Sequence, residues 1–317
     1  MICSHEEHAM RQPDDRTPHF HTRRQVLLGI TALAALSACG GRSGAASVTD
    51  RQVAAAPDVS LHVRDWPSAK GSGKPLPTGA DTYAPTTLVA DLLAVLDALH
   101  IKRIILAGHS IAGNELTLFA GSHPQRVRGL AYLDTTWDYL ALGGHEEPTP
   151  SSLDEPQPGP ADLASMAASI NFAKRLNKQW WPALEANWRD SLDVLPGGAV
   201  RPNAPPAIAT AMHMAAHNLS PDYRRVRAPA LVITVDPGSL RNLFPWLLQA
   251  DPATLAAAQE QLDFFRPLRL ADGERLAAAL PGSKHLLIHN GFHGDFFIEH
   301  ESTVVDAIEA MRWEGLQ

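Results

Sequence analysis

The stretch Gly108-His109-Ser110-Ile111-Ala112-Gly113 presents one hydroxyl among small and apolar neighbours. The apolar run 104–107 before it reads as a buried strand, and residues 111–122 after it have helical spacing. Ser110 therefore falls on a strand-to-helix corner, where small neighbours let the backbone bend and the hydroxyl project. A serine hydroxyl is a weak nucleophile at neutral pH and needs a base within hydrogen-bond reach; imidazole has a suitable pKa. His293 lies in a glycine-flanked loop, residues 290–295, directly after the strand expected at 285–289. His285 enters that strand and His289 ends it, so both are weaker candidates, and His109 reads as shaping the corner. A buried carboxylate should orient the imidazole and stabilise its charged form. Two aspartates follow expected strands: Asp134 after residues 129–133 and Asp236 after residues 231–235.

These residues need elements to hold them. Val59, Leu61 and Val63 alternate with polar neighbours, as in a half-buried strand ending near Asp65-Trp66. Leu88, Val89, Leu92, Leu93, Leu96 and Leu99 fall on one helical face behind Thr86 or Thr87 as a cap. Between about 135 and 225 the strand-helix alternation breaks. A Pro-rich loop at 148–160 is followed by helical stretches near 161–176, 178–193 and 205–217. Helices occupy much of 239–280, and a closing helix spans about 301–313. The alternation predicts the α/β class with a mostly parallel sheet.

The Gly108–Gly113 corner and the chain order Ser, Asp, His resemble the α/β-hydrolase superfamily, in the variant where Ala112 fills the second small position and Gly113 follows. The resemblance covers about residues 85–313. It implies a sheet flanked by helices, a helical lid at about 135–225, and an esterase- or lipase-like serine hydrolase acting through an acyl-serine intermediate. Ser110 would be the nucleophile and His293 the base. Asp134 is the preferred acid, because its placement resembles branches such as certain haloalkane dehalogenases. Asp236 is the alternative acid, after the strand that most often carries one. A serine at 110 argues against dehalogenases and epoxide hydrolases themselves, whose nucleophile is aspartate. One oxyanion donor would be the backbone N–H of Ile111; the second normally comes from a His-Gly loop, which finds no match here. Only 19 residues separate Trp66 from Thr86, where two strands, a helix and their connections need roughly 35 to 45. The N-terminal part of the sheet is thus expected to be incomplete, with the Ser110 strand liable to become an edge. Two alternatives follow: a non-catalytic or impaired hydrolase-like binding lipoprotein, and a haloperoxidase-like perhydrolase. Trp180, Trp181 and Trp188 read either as apolar lid lining or as packing between lid and core.

The 317 residues are 45% hydrophobic and 19% charged, which suits one globular domain, taken as residues 58–317. A net charge of -7 without a basic run in the body of the chain argues against a nucleic-acid surface. No dinucleotide fingerprint, P-loop or spaced Cys/His set is present, so neither cofactor nor metal is expected. Arg23-Arg24 precede the apolar run 26–38, whose 13 residues fall short of the about 20 that cross a bilayer. With Leu36-Ser37-Ala38-Cys39, residues 1–38 read as a signal peptide resembling a Tat leader with a lipobox. Lipidation of Cys39 would leave residues 39–57 as a tether and anchor the domain to a membrane on the periplasmic or cell-surface side. Cys3 would leave with the leader, so no disulfide is expected. The expected partner is a small acyl substrate of apolar character.

Overall fold

A computed structural model describes residues 2–6, 49–56, 59–65, 83–98, 101–135, 138, 150–204, 206–247, 249–311 and 313. The strands are β1 (Ile2–Glu6), β2 (Thr49–Ala56), β3 (Val59–Asp65), β4 (Ile104–His109), β5 (Val127–Leu133), β6 (Leu192–Val194), β7 (Val200–Pro202), β8 (Ala230–Asp236) and β9 (Lys284–His289). The helices are α1 (Pro85–Ala98), α2 (Gly113–Ser122), α3 (Met166–Leu176), α4 (Pro182–Asp190), α5 (Pro206–His217), α6 (Leu240–Leu243), α7 (Pro252–Ala279), α8 (Phe296–Glu299) and α9 (Glu301–Glu309).

Seven strands form one sheet in the order β2-β3-β1-β4-β5-β8-β9. From β4 to β9 every pairing is parallel, and β4, β5 and β8 are buried along their whole length. Their unbroken apolar runs follow, because a parallel strand covered on both faces has no solvent side to alternate with. Ile105, Ala107, Ala131, Leu133, Ile233 and Val235 pack with Phe296, Phe297, Val304, Ile308 and Trp313 on one face. The intervening residues Ile104, Leu106, Leu130, Tyr132 and Val232 pack on the other with Leu92 and Leu96 of α1, Leu116 and Phe119 of α2, and Leu276 of α7. Helices thus cover both faces.

Three local choices set the helices. Pro85 opens α1, where its fixed φ suits the first turn. Asp251 caps α7 by accepting from the N–H groups of Ala253 and Thr254. Ser165 caps α3 by accepting from Ala168 N–H. Between β5 and β8 stand α3, α4, the β6–β7 hairpin and α5. The hairpin pairs Leu192 with Pro202 and Val194 with Val200 around Gly197 and Gly198, both at positive φ.

The N-terminal half of the sheet departs from expectation. β2 lies inside the segment read as a tether, and pairs antiparallel along β3. β1, from the segment read as a leader, lies antiparallel between β3 and β4, with Ile2 opposite Val63 on one side and Ala107 on the other. β4 is therefore not an edge in this chain. The physical reason is backbone pairing: a strand's N–H and C=O groups accept any extended neighbour, whatever its side chains. The interval 66–82 lies outside the described residues, as does Cys39.

Candidate active site

β4 delivers Ser110 at its carboxyl end, and the chain turns through Ser110–Ala112 into α2. Ser110 sits in the left-handed region at φ 57°. Two other non-glycine residues among those described share that conformation: Asp134 at 51° and Asn290 at 60°. All three follow the carboxyl ends of parallel strands β4, β5 and β9. Strained backbone gathered at one rim of a sheet is held there by surrounding structure and marks functional sites. Gly113 keeps the corner tight, since a Cβ on it would collide with the Thr135 side chain and stand 2.9 Å from the Thr135 carbonyl oxygen.

Asp134 is buried, and its Oδ2 stands 2.6 Å from His293 Nδ1. Its Oδ1 accepts the Val235 N–H at 2.9 Å. Arg269, from the middle of α7, pairs through Nη2 with Asp134 Oδ2 and also reaches within 3.0 Å of His293 Nδ1. Burial disfavours the charged carboxyl. The Arg269 guanidinium and the His293 hydrogen bond overcome that penalty and hold Asp134 well below the usual carboxylate range.

Asp236 is placed differently. Arg266 clasps it with Nε at 2.7 Å and Nη2 at 2.9 Å, His289 Nδ1 stands at 3.2 Å, and the Gly238 N–H donates to Oδ1 at 3.0 Å. The Arg266 hydrogen bond lowers its pKa against the opposing effect of burial. Two Arg–Asp–His sets therefore lie side by side on the strand tips, and His293 belongs to the Asp134 set. His285 is elsewhere, bonded through Nε2 to Thr234 Oγ1 at 2.8 Å.

His109 ties the serine corner to the His293 loop. Its Nε2–H donates to the His293 carbonyl at 2.8 Å, and the two rings lie 4.4 Å apart between centroids. Among the described residues no hydrogen bond joins Ser110 to His293. Ile111 is buried against Tyr83 and, from α5, Ala211, Met212 and Ala216.

The tryptophans divide. Trp180 donates to Glu185 at 3.1 Å and Trp188 to Ser169 at 3.0 Å, both within the insertion. Trp181 donates to Asp295 at 3.2 Å, two residues beyond His293.

Arg269 escaped the reading of the sequence. The signal that could have found it is the i, i+3 pair Arg266 and Arg269 on one helix, opposite two strand-tip aspartates. Among the described residues no cluster of three or more His, Cys, Asp or Glu could hold a metal ion, and no helix is long and apolar enough to cross a membrane.

A family model described as alpha/beta hydrolase fold matches residues 51–189. Solved structures similar to this chain include a marine microorganism esterase (12% identity, 79% of this chain and 84% of that one, TM-score 0.46). Two others are E-2-(acetamidomethylene)succinate hydrolase (17%, 78% and 78%, 0.44) and a bromoperoxidase from Bacillus anthracis (17%, 79% and 79%, 0.44). A comparison with curated proteins gives no match.

Proposed function

We propose, from the premise that this chain has the α/β-hydrolase fold, that it is a serine hydrolase cleaving an ester or related acyl compound. The observation that carries the reading is the 2.6 Å contact of His293 Nδ1 with the buried Asp134, on the rim where Ser110 stands at positive φ. With its Nδ1 proton donated to Asp134, the imidazole keeps Nε2 as base. Nε2 takes the Ser110 proton as Oγ attacks the acyl carbon, and returns it to the leaving oxygen when the tetrahedral intermediate collapses to the acyl-serine. Water then repeats the cycle and frees the acid. The Ile111 N–H is our assignment for one donor to the oxyanion, a role worth about 10² to 10³ in turnover per donor. The apolar shell of Tyr83, Ala211 and Met212 around Ile111 supports an apolar acyl group.

The missing Ser110–His293 hydrogen bond favours, as a second reading, a hydrolase-like binding protein; apo sites of working enzymes also show such gaps. Reaction with a fluorophosphonate probe and turnover of short p-nitrophenyl esters separate the two. The parent should label and turn over, and S110A and H293A should do neither while remaining folded. D134N should lose about 10⁴ in rate, as removal of a triad acid does, and D236N should stay near the parent. An unlabelled parent, or S110A labelling as fast as the parent, sinks the proposal. We also propose that the protein is exported and lipidated at Cys39, supported by Arg23-Arg24, the short apolar run and Leu36-Ser37-Ala38 before the cysteine.

A further inference from the structure

Arg269 is the one cation that reaches both members of the Asp134–His293 pair among the described residues. A guanidinium only donates hydrogen bonds. Its approach to His293 Nδ1 is therefore a hydrogen bond only when Nδ1 is bare and the imidazole proton sits on Nε2, a tautomer unable to act as base. With the proton on Nδ1, the same nitrogen donates to Asp134 instead. Asp134 and Arg269 thus compete for one ring atom, and the charge on Asp134 decides between them, because an ionised carboxylate can only accept.

Among the described residues the surroundings add no second cation there. Facing His293 are Asp134 after β5, Arg269 from α7, and His109 at the end of β4, whose Nε2–H is spent on the His293 carbonyl. Asp295, on the same loop, takes the Trp181 indole N–H, and Lys178 beside it pairs with Glu299 at 2.6 Å. One turn before Arg269, Arg266 is committed to Asp236, together with His289.

We propose that Arg269 is a positioning residue: it keeps Asp134 ionised and so holds the His293 proton on Nδ1, leaving Nε2 as the base. The last step rests on the serine-hydrolase reading above. Withdrawing the positive charge lets Asp134 protonate more easily and favours the imidazolium, and both effects have one sign.

The test compares the parent with R269Q and R269K in the full chain. In R269Q the acid limb of kcat/KM for a p-nitrophenyl ester should move up by about one to three pH units, the range an opposite charge at this distance commands. KM should be little changed and the high-pH plateau largely kept. R269K, which keeps the charge on a single nitrogen, should bring the limb most of the way back. The same titration is read without catalysis from the His293 Cε1–H resonance, assigned by its loss in H293Q. A limb and resonance that move together uphold the proposal. A resonance unmoved in R269Q overturns it, whatever the rates do. A resonance that moves in a parent that takes no probe upholds the pairing and overturns the hydrolase reading.

Discussion

Glu115 lies on α2, five residues past Ser110, with a side chain only 2% exposed and Oε2 without a hydrogen-bond partner. Burial pushes its carboxyl from 4.5 up to about 7, partly offset by a hydrogen bond from its own backbone N–H. Between those two values the folded chain binds more protons at this site than the unfolded chain does. Stability is therefore lost as pH rises through that window, by about 3 kcal/mol in all. Asp295, raised by burial to about 6, adds the same sign, whereas His285, lowered by burial, works against it. Asp134 contributes oppositely and elsewhere: its stabilisation is complete above about 3.8 and fades only as pH falls toward its depressed value. The difference between parent and E115Q isolates the residue. Urea unfolding from pH 4.5 to 8 should show the parent losing ground to E115Q by about 3 kcal/mol with m unchanged. Parallel curves would refute the assignment of a buried, protonated Glu115.

At the scale of elements, α7 carries Arg266 and Arg269 to the strand tips, so its seating on β8 decides whether those contacts exist. Gly273, one turn past Arg269, permits that seating. A Cβ there would collide with Thr234 Oγ1 and lie 3.0 Å from Thr234 Cβ and Cγ2. Thr234 is fully buried, stiff at χ1, and bonded to His285, so the helix rather than the threonine must give. G273A should lose about 1 to 3 kcal/mol, as overpacked cores do, and should react more slowly with the fluorophosphonate probe as Arg269 is drawn off Asp134. An unfolding midpoint and labelling rate equal to the parent's would show that α7 is not seated by this contact. The segment between β5 and β8 is tied to the same region through Trp181 to Asp295 and Lys178 to Glu299.

For the whole molecule, the N-terminus joins two readings that pull apart. As a leader, residues 1–38 leave the mature protein; as β1, residues 2–6 fill the slot beside β4. Export would therefore open that side of β4, and unpaired strand edges invite pairing with another chain. Mass spectrometry of the protein recovered from membranes of a lipoprotein-processing bacterium should find acylated Cys39 as the first residue. Recovery of peptides from residues 2–24 in that fraction would refute export by this route.

What could be read in the sequence is what short-range physics determines. The β4–Ser110–α2 corner, the apolar strands β5, β8 and β9, and the loop bearing His293 each depend on residues within about ten positions of one another, so periodicity and small residues expose them. β2 escaped because its sequence lacks an alternating pattern, and β1 because its neighbours in the sheet are distant in the chain. The choice of partner for His293 was likewise beyond local reading. Asp134 and Asp236 are chemically the same group at equivalent strand tips, each with an arginine from α7. Which of them meets His293, 159 residues beyond Asp134, follows from the parallel order β5-β8-β9 and the seating of one helix, and those exist only once the chain has packed.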